Sequence, residues 1–167
     1  MRLFFALWPP ADTARELGEW AAEVAEQCGG KVTAVESIHL TLAFLGETEP
    51  DKAIAAARYV KAPRHRLPID AAQYVKRNEM VWVGPAKMPQ ELASLAADLH
   101  GALRAAGFVL EERPYRAHVT LVRKARLPKS IPRLPRVAWP VTEFLLMRSR
   151  TSSKGSTYEP LERFALR

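Results

Sequence analysis

Two stretches of this chain, SIHLTLAFLG and YRAHVTLVRK, each place a histidine and a threonine two positions apart inside an otherwise apolar run. Side chains alternate across a β-strand. His39 and Thr41 therefore share one face while Leu40 and Leu42 take the other, and His118 and Thr120 stand likewise against Val119 and Leu121. A strand buried on both faces is apolar throughout. Each motif thus predicts a strand with its apolar side in the core and its polar side open to a cleft. One such motif would mean little, but two in a chain with only 4 histidines are specific.

The rest of the chain organises around these strands. RLFFALW reads as a first strand rather than a signal peptide, since Pro-Pro follows and no small-residue cleavage site is present. ADTARELGEWAAEVAEQCGG predicts a helix capped by Asp12 and stopped at Gly29 or Gly30. Its apolar face is Leu17, Trp20, Ala21, Val24, Ala25 and Cys28. TEPDKAIAAARYV predicts a second helix with Thr48 as cap and Pro50 in its first turn. LPIDAAQYVKR and MVWVGP predict strands joined by a turn. PQELASLAADLHGALRAAGF predicts a third helix, stopped at Gly107. RLPKSIPRLPRVAWP, with its prolines and cations, reads as a loop, and VTEFLLMRSR and YEPLERFALR return to strand patterning. Helix, glycine, short connector and His-x-Thr strand occur in that order twice, which implies two related lobes facing each other. The irregular alternation of strands and helices, with hairpin-like neighbours, fits a mixed α+β fold better than a parallel doubly wound sheet.

With 167 residues, 48% of them hydrophobic, the chain can bury a real core and is not a disordered polymer. No apolar run approaches the ~18–20 residues that span a bilayer. A single cysteine, Cys28, can form neither an internal disulfide nor a multi-cysteine zinc site, and a reducing cytoplasm is its expected setting. The net charge of +7 favours a polyanionic partner such as RNA or a nucleotide, although a basic composition alone is equally a general surface property.

Two histidines without a matching carboxylate or cysteine make a poor metal site, because zinc takes three or four protein ligands. Neither histidine sits beside a recognisable serine or cysteine nucleophile. Two opposed imidazoles are suited to proton transfer: a neutral one takes a proton from a nucleophile and a cationic one gives a proton to the leaving group. The hydroxyls of Thr41 and Thr120 can bond non-bridging phosphate oxygens, and Arg123 can supply positive charge to a phosphorane-like transition state. The pattern is that of metal-free phosphodiester chemistry.

HLTLAFLG and HVTLVRKA resemble the paired His-x-Thr motifs of the two-histidine (2H) phosphoesterases. The chain is most similar to their RNA 2′,3′-cyclic phosphodiesterase branch, also called 2′-5′ RNA ligases. The likeness extends to RLFFALWPP at the start and RSRTSSKGSTYEPLERFAL at the end. It implies one bilobal α+β domain over residues 1–167, with two antiparallel sheets, helices on the outside, a pseudo-two-fold axis and a central cleft carrying one motif from each lobe. It implies hydrolysis of terminal 2′,3′-cyclic phosphates to 2′-phosphomonoesters without a cofactor, on RNA ends or cyclic nucleotides, by a monomer. His39, Thr41, His118 and Thr120 are then the catalytic set. His39 acts as acid toward O3′ and His118 as base toward water, and the reverse order leaves the reaction the same. Arg123 matches the family's arginine after the second motif, and Phe44 stands where an aromatic would contact a base. Activity on 2′-5′ linkages at the same site, or an RNA-binding cleft without turnover, are the alternatives.

The other candidates read as structural. His65 falls in a basic loop and His100 on a helix flank. Trp8, Trp20, Trp82 and Trp139 read as packing residues, and Cys28 as a small core residue. Arg126, Lys129, Arg133 and Arg136 guide RNA or simply solvate a loop.

Overall fold

The computed structural model describes residues 1–167. Its strands are β1 (Arg2–Leu7), β2 (Lys31–Val32), β3 (Leu40–Glu47), β4 (His65–Ile69), β5 (Ala71–Val75), β6 (Met80–Gly84), β7 (Val119–Arg123), β8 (Val137–Val141), β9 (Glu143–Ser152) and β10 (Gly155–Ala165). Its helices are α1 (Ala11–Cys28), α2 (Pro50–Ala57) and α3 (Gln90–Ala105). Two four-stranded sheets, in the orders β10-β9-β1-β3 and β2-β7-β6-β5, are accompanied by a small sheet of β4 and β8. All pairings are antiparallel. The fold is α+β.

The apolar run of β1 arises because it is an inner strand covered on both faces. Leu3, Phe5 and Leu7 enter the main core with Phe144 and Leu146 of β9, while Phe4 and Ala6 join Leu145 and Met147 in a second small cluster under Trp8 and Tyr158. That second face carries the first motif. In the other large sheet, Val81, Val83, Val119 and Leu121 point into the main core, leaving Trp82 and Thr120 paired on the opposite face. The helices cross over between sheets. α1 follows β1 but packs on β2, β7 and β8, and α3 follows β6 but packs on β3, β4 and α2.

Several local expectations are corrected. α1 starts after Pro10, so Asp12 lies inside its first turn and accepts the Thr13 amide at 2.9 Å instead of capping. Glu49, not Thr48, precedes α2, whose first residue is Pro50. LPIDAAQYVKR is broken at Asp70 into β4 and β5, which belong to different sheets. The end of the proline-rich segment is β8, a strand that alternates Val137, Trp139 and Val141 inward. Its Pro140 is tolerated in a two-stranded sheet, where the missing N–H disrupts little. His65 opens β4 and is buried. Its Nδ1 lies 3.0 Å from the Pro63 carbonyl and its Nε2 has no partner.

Candidate active site

Each catalytic candidate stands at the mouth of its strand. His39 immediately precedes β3 and His118 immediately precedes β7. Their apolar neighbours Leu40, Leu42, Val119 and Leu121 are all at most 1% exposed, whereas the histidines and threonines are half-buried on the other side. The alternation expected from the sequence therefore holds at both motifs. It also breaks at the same place in both. Ala6 pairs with Thr41 and Phe5 with Ala43, skipping Leu42; Trp82 pairs with Thr120 and Val81 with Val122, skipping Leu121. A one-residue bulge directly after each His-x-Thr lets two successive residues turn inward and bends the strand where the polar pair faces out.

Main-chain carbonyls at each bulge are taken up by residues that precede the other motif, His100 of α3 and Tyr115 on one side and Thr33 on the other. The Tyr115 hydroxyl donates to the Thr41 carbonyl at 2.8 Å, and His100 Nε2 donates to the Leu42 carbonyl at 2.7 Å. In the other lobe the Thr33 hydroxyl donates to the Thr120 carbonyl at 2.9 Å, and the Thr33 amide to the Leu121 carbonyl at 2.8 Å. Thr33 lies ahead of His39 and Tyr115 ahead of His118, so the two motifs brace each other reciprocally. Burial raises the Tyr115 phenol pKa far above its usual value, which keeps it a neutral donor. Tyr115→Phe is expected to cost about 1–3 kcal/mol by leaving the Thr41 carbonyl unpaired. Urea unfolding of both proteins checks this.

The two imidazoles are held alike. His39 Nδ1 lies 2.7 Å from the Ser37 carbonyl and His118 Nδ1 lies 3.1 Å from the Arg116 carbonyl, in each case two residues back. A carbonyl only accepts, so Nδ1 carries hydrogen and Nε2 is left to exchange protons. Each ring rests on a tryptophan: His39 on Trp8 at 4.6 Å and 7°, His118 on Trp82 at 3.9 Å and 21°. Phe4 and Tyr158 complete the wall around His39. Trp20 and Trp139 are core residues as expected, but Trp8 and Trp82 belong to the site. The signal for Trp82 was present in MVWVG, where Val81 and Val83 face inward and the tryptophan must face out.

Burial is the main cause lowering the pKa of His39, opposed by its bond to the Ser37 carbonyl; the charges of Arg123 and His118 lower it further. His118 is lowered chiefly by burial, against its bond to the Arg116 carbonyl, with the Arg116 charge adding to the drop. His118 and Arg123 thus both lie within electrostatic reach of His39. Gly84 lets the end of β6 lie close to the backbone ahead of His118, because a Cβ there would lie 2.8 Å from the Ala117 carbonyl oxygen. A groove of about 740 Å³ runs past Thr41, Phe44, Trp82 and His118, and Phe44 presents its ring to it with 66% of the residue exposed. Among the remaining histidines, His100 holds a strand carbonyl while His65 lies in β4 away from the motifs. No group of three or more His, Cys, Asp or Glu side chains is placed to hold a metal ion. No helix is long and apolar enough to cross a membrane.

Comparison with known proteins fits this duplicated arrangement. The family described as LigT-like phosphoesterase matches twice, over residues 7–82 and 83–158, once around each motif. The chain belongs to that family. Among curated relatives of the LigT-like phosphoesterases, it is 36% identical to the RNA 2′,3′-cyclic phosphodiesterase of Escherichia coli K12, over 99% of this chain and 96% of that one. It is 33% identical to the protein of the same name from Thermus thermophilus, over 100% of this chain and 91% of the relative. The crystal structure of E. coli LigT complexed with 3′-AMP superposes with a TM-score of 0.89 at 34% identity, covering 99% of this chain and 97% of that chain.

Proposed function

We infer that this protein is an RNA 2′,3′-cyclic phosphodiesterase, which opens a terminal 2′,3′-cyclic phosphate to a 2′-phosphomonoester by general acid/base catalysis between two histidines. The observation that carries this reading is the matched pair of imidazoles, each fixed through Nδ1 by the carbonyl two residues back and each supplied by one His-x-Thr motif. The E. coli and T. thermophilus relatives bear the same activity in their names, and the E. coli LigT structure holds a nucleotide.

Water attacks phosphorus in line with O3′. His118 Nε2 takes the proton of water as its oxygen bonds to phosphorus. The P–O3′ bond breaks, and Nε2–H of His39 gives its proton to O3′. The product is a 2′-phosphate and a free 3′-hydroxyl, with one water consumed. Thr41 and Thr120 hydroxyls bond the non-bridging oxygens, and Arg123 stabilises the charge that builds there. The exposed Phe44 ring stacks on the terminal base. The chain works as one bilobal domain over residues 1–167, without a cofactor, as a monomer on RNA ends or cyclic nucleotides. Buried Cys28, bonded only to main-chain carbonyls, fits a cytoplasmic setting.

The pH–rate profile tests this reading. The productive enzyme has one proton shared between two histidines, so kcat/KM must be bell-shaped and its two limbs belong to the pair. Both pKa values are lowered, so both limbs fall below the ordinary histidine value of about 6.5 and the optimum lies on the acid side of it. Removing the positive charge in Arg123→Gln makes His39 easier to protonate, which moves the profile to higher pH while lowering the rate. A flat wild-type profile would overturn the two-histidine mechanism.

A further inference from the structure

We propose that the RNA strand leading to the cyclic phosphate leaves the active site through the groove between the β3 edge and the β5–β6 turn, with Arg77 and Arg113 holding its upstream phosphates. The proposal rests on the reading of the substrate given above and adds the path of the polymer and the residues that make an oligonucleotide a better substrate than a mononucleotide.

A 3′-terminal cyclic phosphate has chain on one side only, so an RNA substrate needs one exit from the site. Two grooves lie on either side of the histidines' aromatic walls. One is the groove already described, of about 740 Å³, which begins at Thr41 and His118 and passes the exposed Phe44. The other, of about 470 Å³, lies beyond the wall of Trp8 and Tyr158 that backs His39. Their charges differ in sign. The first is lined by Arg77, Arg113 and Arg116 against the single Glu111; the second is lined by Glu36 and Glu143 against the single Arg163. Arg163 is moreover paired with Glu143.

Three cations facing one carboxylate attract a phosphodiester backbone, and two carboxylates facing one paired cation repel it. The positive groove also has what a single strand requires beside charge, namely an aromatic platform next to the reacting end. Arg77 is exposed in the turn between β5 and β6, and Arg113 is exposed in the connector before His118, so two separate segments of the chain contribute charge to the groove. Glu111 pairs with Arg113. Arriving phosphate competes with that carboxylate for the guanidinium, which makes the contact sensitive to salt. Arg116 is nearer the chemistry, since its carbonyl fixes His118 and its charge tunes that ring.

The test compares wild type, the double variant Arg77→Ala/Arg113→Ala, and Arg163→Gln in the opposite groove. Each is assayed on a cyclic mononucleotide and on an oligoribonucleotide ending in a 2′,3′-cyclic phosphate. The double variant is expected to lower the oligonucleotide-to-mononucleotide ratio of kcat/KM about tenfold at low salt. The log–log salt dependence should become shallower by about 1.4, for two phosphate contacts on a single strand. Arg163→Gln is expected to leave the ratio as in wild type. An unchanged ratio in the double variant, or an equal fall in Arg163→Gln, would overturn the proposed path. Binding of a labelled oligoribonucleotide ending in a 2′-phosphate, followed by fluorescence anisotropy, reads the same difference without turnover. Loss of the assigned reaction and loss of the strand path are therefore separate results.

Discussion

His118→Ala is expected to lower kcat on a 2′,3′-cyclic phosphate by about 10²–10⁴, and His39→Ala by a similar factor, with both proteins folded. Each ring has one nitrogen committed to a main-chain carbonyl and a tryptophan beneath it, so its other nitrogen is held in one direction. Because the proton taken from water and the proton given to O3′ belong to one displacement, the losses should not add. The double variant is expected to be only slightly worse than the weaker single one. Single-turnover rates of the three variants check this, and losses that multiply would show that the two histidines act in separate steps.

Gly30→Ala is expected to destabilise the fold by about 2–5 kcal/mol, since it combines backbone strain with a clash that cannot relax. Gly30 has φ +88°, and a Cβ there would lie 2.5 Å from the Arg123 carbonyl oxygen and 2.9 Å from Val122 Cγ1. The residues displaced are the end of β7, so the effect reaches the cleft through Arg123 as well as through stability. At about 2–4 °C per kcal/mol for a chain of this size, melting should fall by roughly 4–20 °C. Gly101→Ala is the contrast. It lies inside α3 with open space around its Cβ, and it should gain about 0.5–1 kcal/mol from helix propensity. Thermal melts of both variants decide the point; equal melting temperatures would remove the close approach at Gly30 as a constraint.

The parts of the fold that were legible are those with long or repeated patterns. α1 and α3 show their apolar faces over four or more turns, and β3 and β7 show theirs by alternation around histidine and threonine. What escaped was set by tertiary contacts. The helix starts at Pro10 and Pro89 carry no side-chain cap, so no capping residue marks them, and Asp12 lies inside the first turn of the first helix instead of at its start. Strand β8 is hidden by the prolines around it, and only its pairing with β4 buries Trp139. At the site, strict alternation predicted which way the motif residues face but not the bulges at Leu42 and Leu121. Those become visible only when the partner strands are known. Tyr115, His100 and Thr33 escaped for the same reason, since each bonds a strand carbonyl at a bulge from a distant part of the sequence.

The most direct measurement uses purified protein, excess chelator and an oligoribonucleotide ending in a 2′,3′-cyclic phosphate, with phosphorus NMR reading the product for wild type and His118→Ala. The account predicts a 2′-phosphomonoester from the wild type and a cyclic phosphate that persists with the variant. A 3′-phosphate product, no turnover by the wild type, or full turnover by His118→Ala would contradict it.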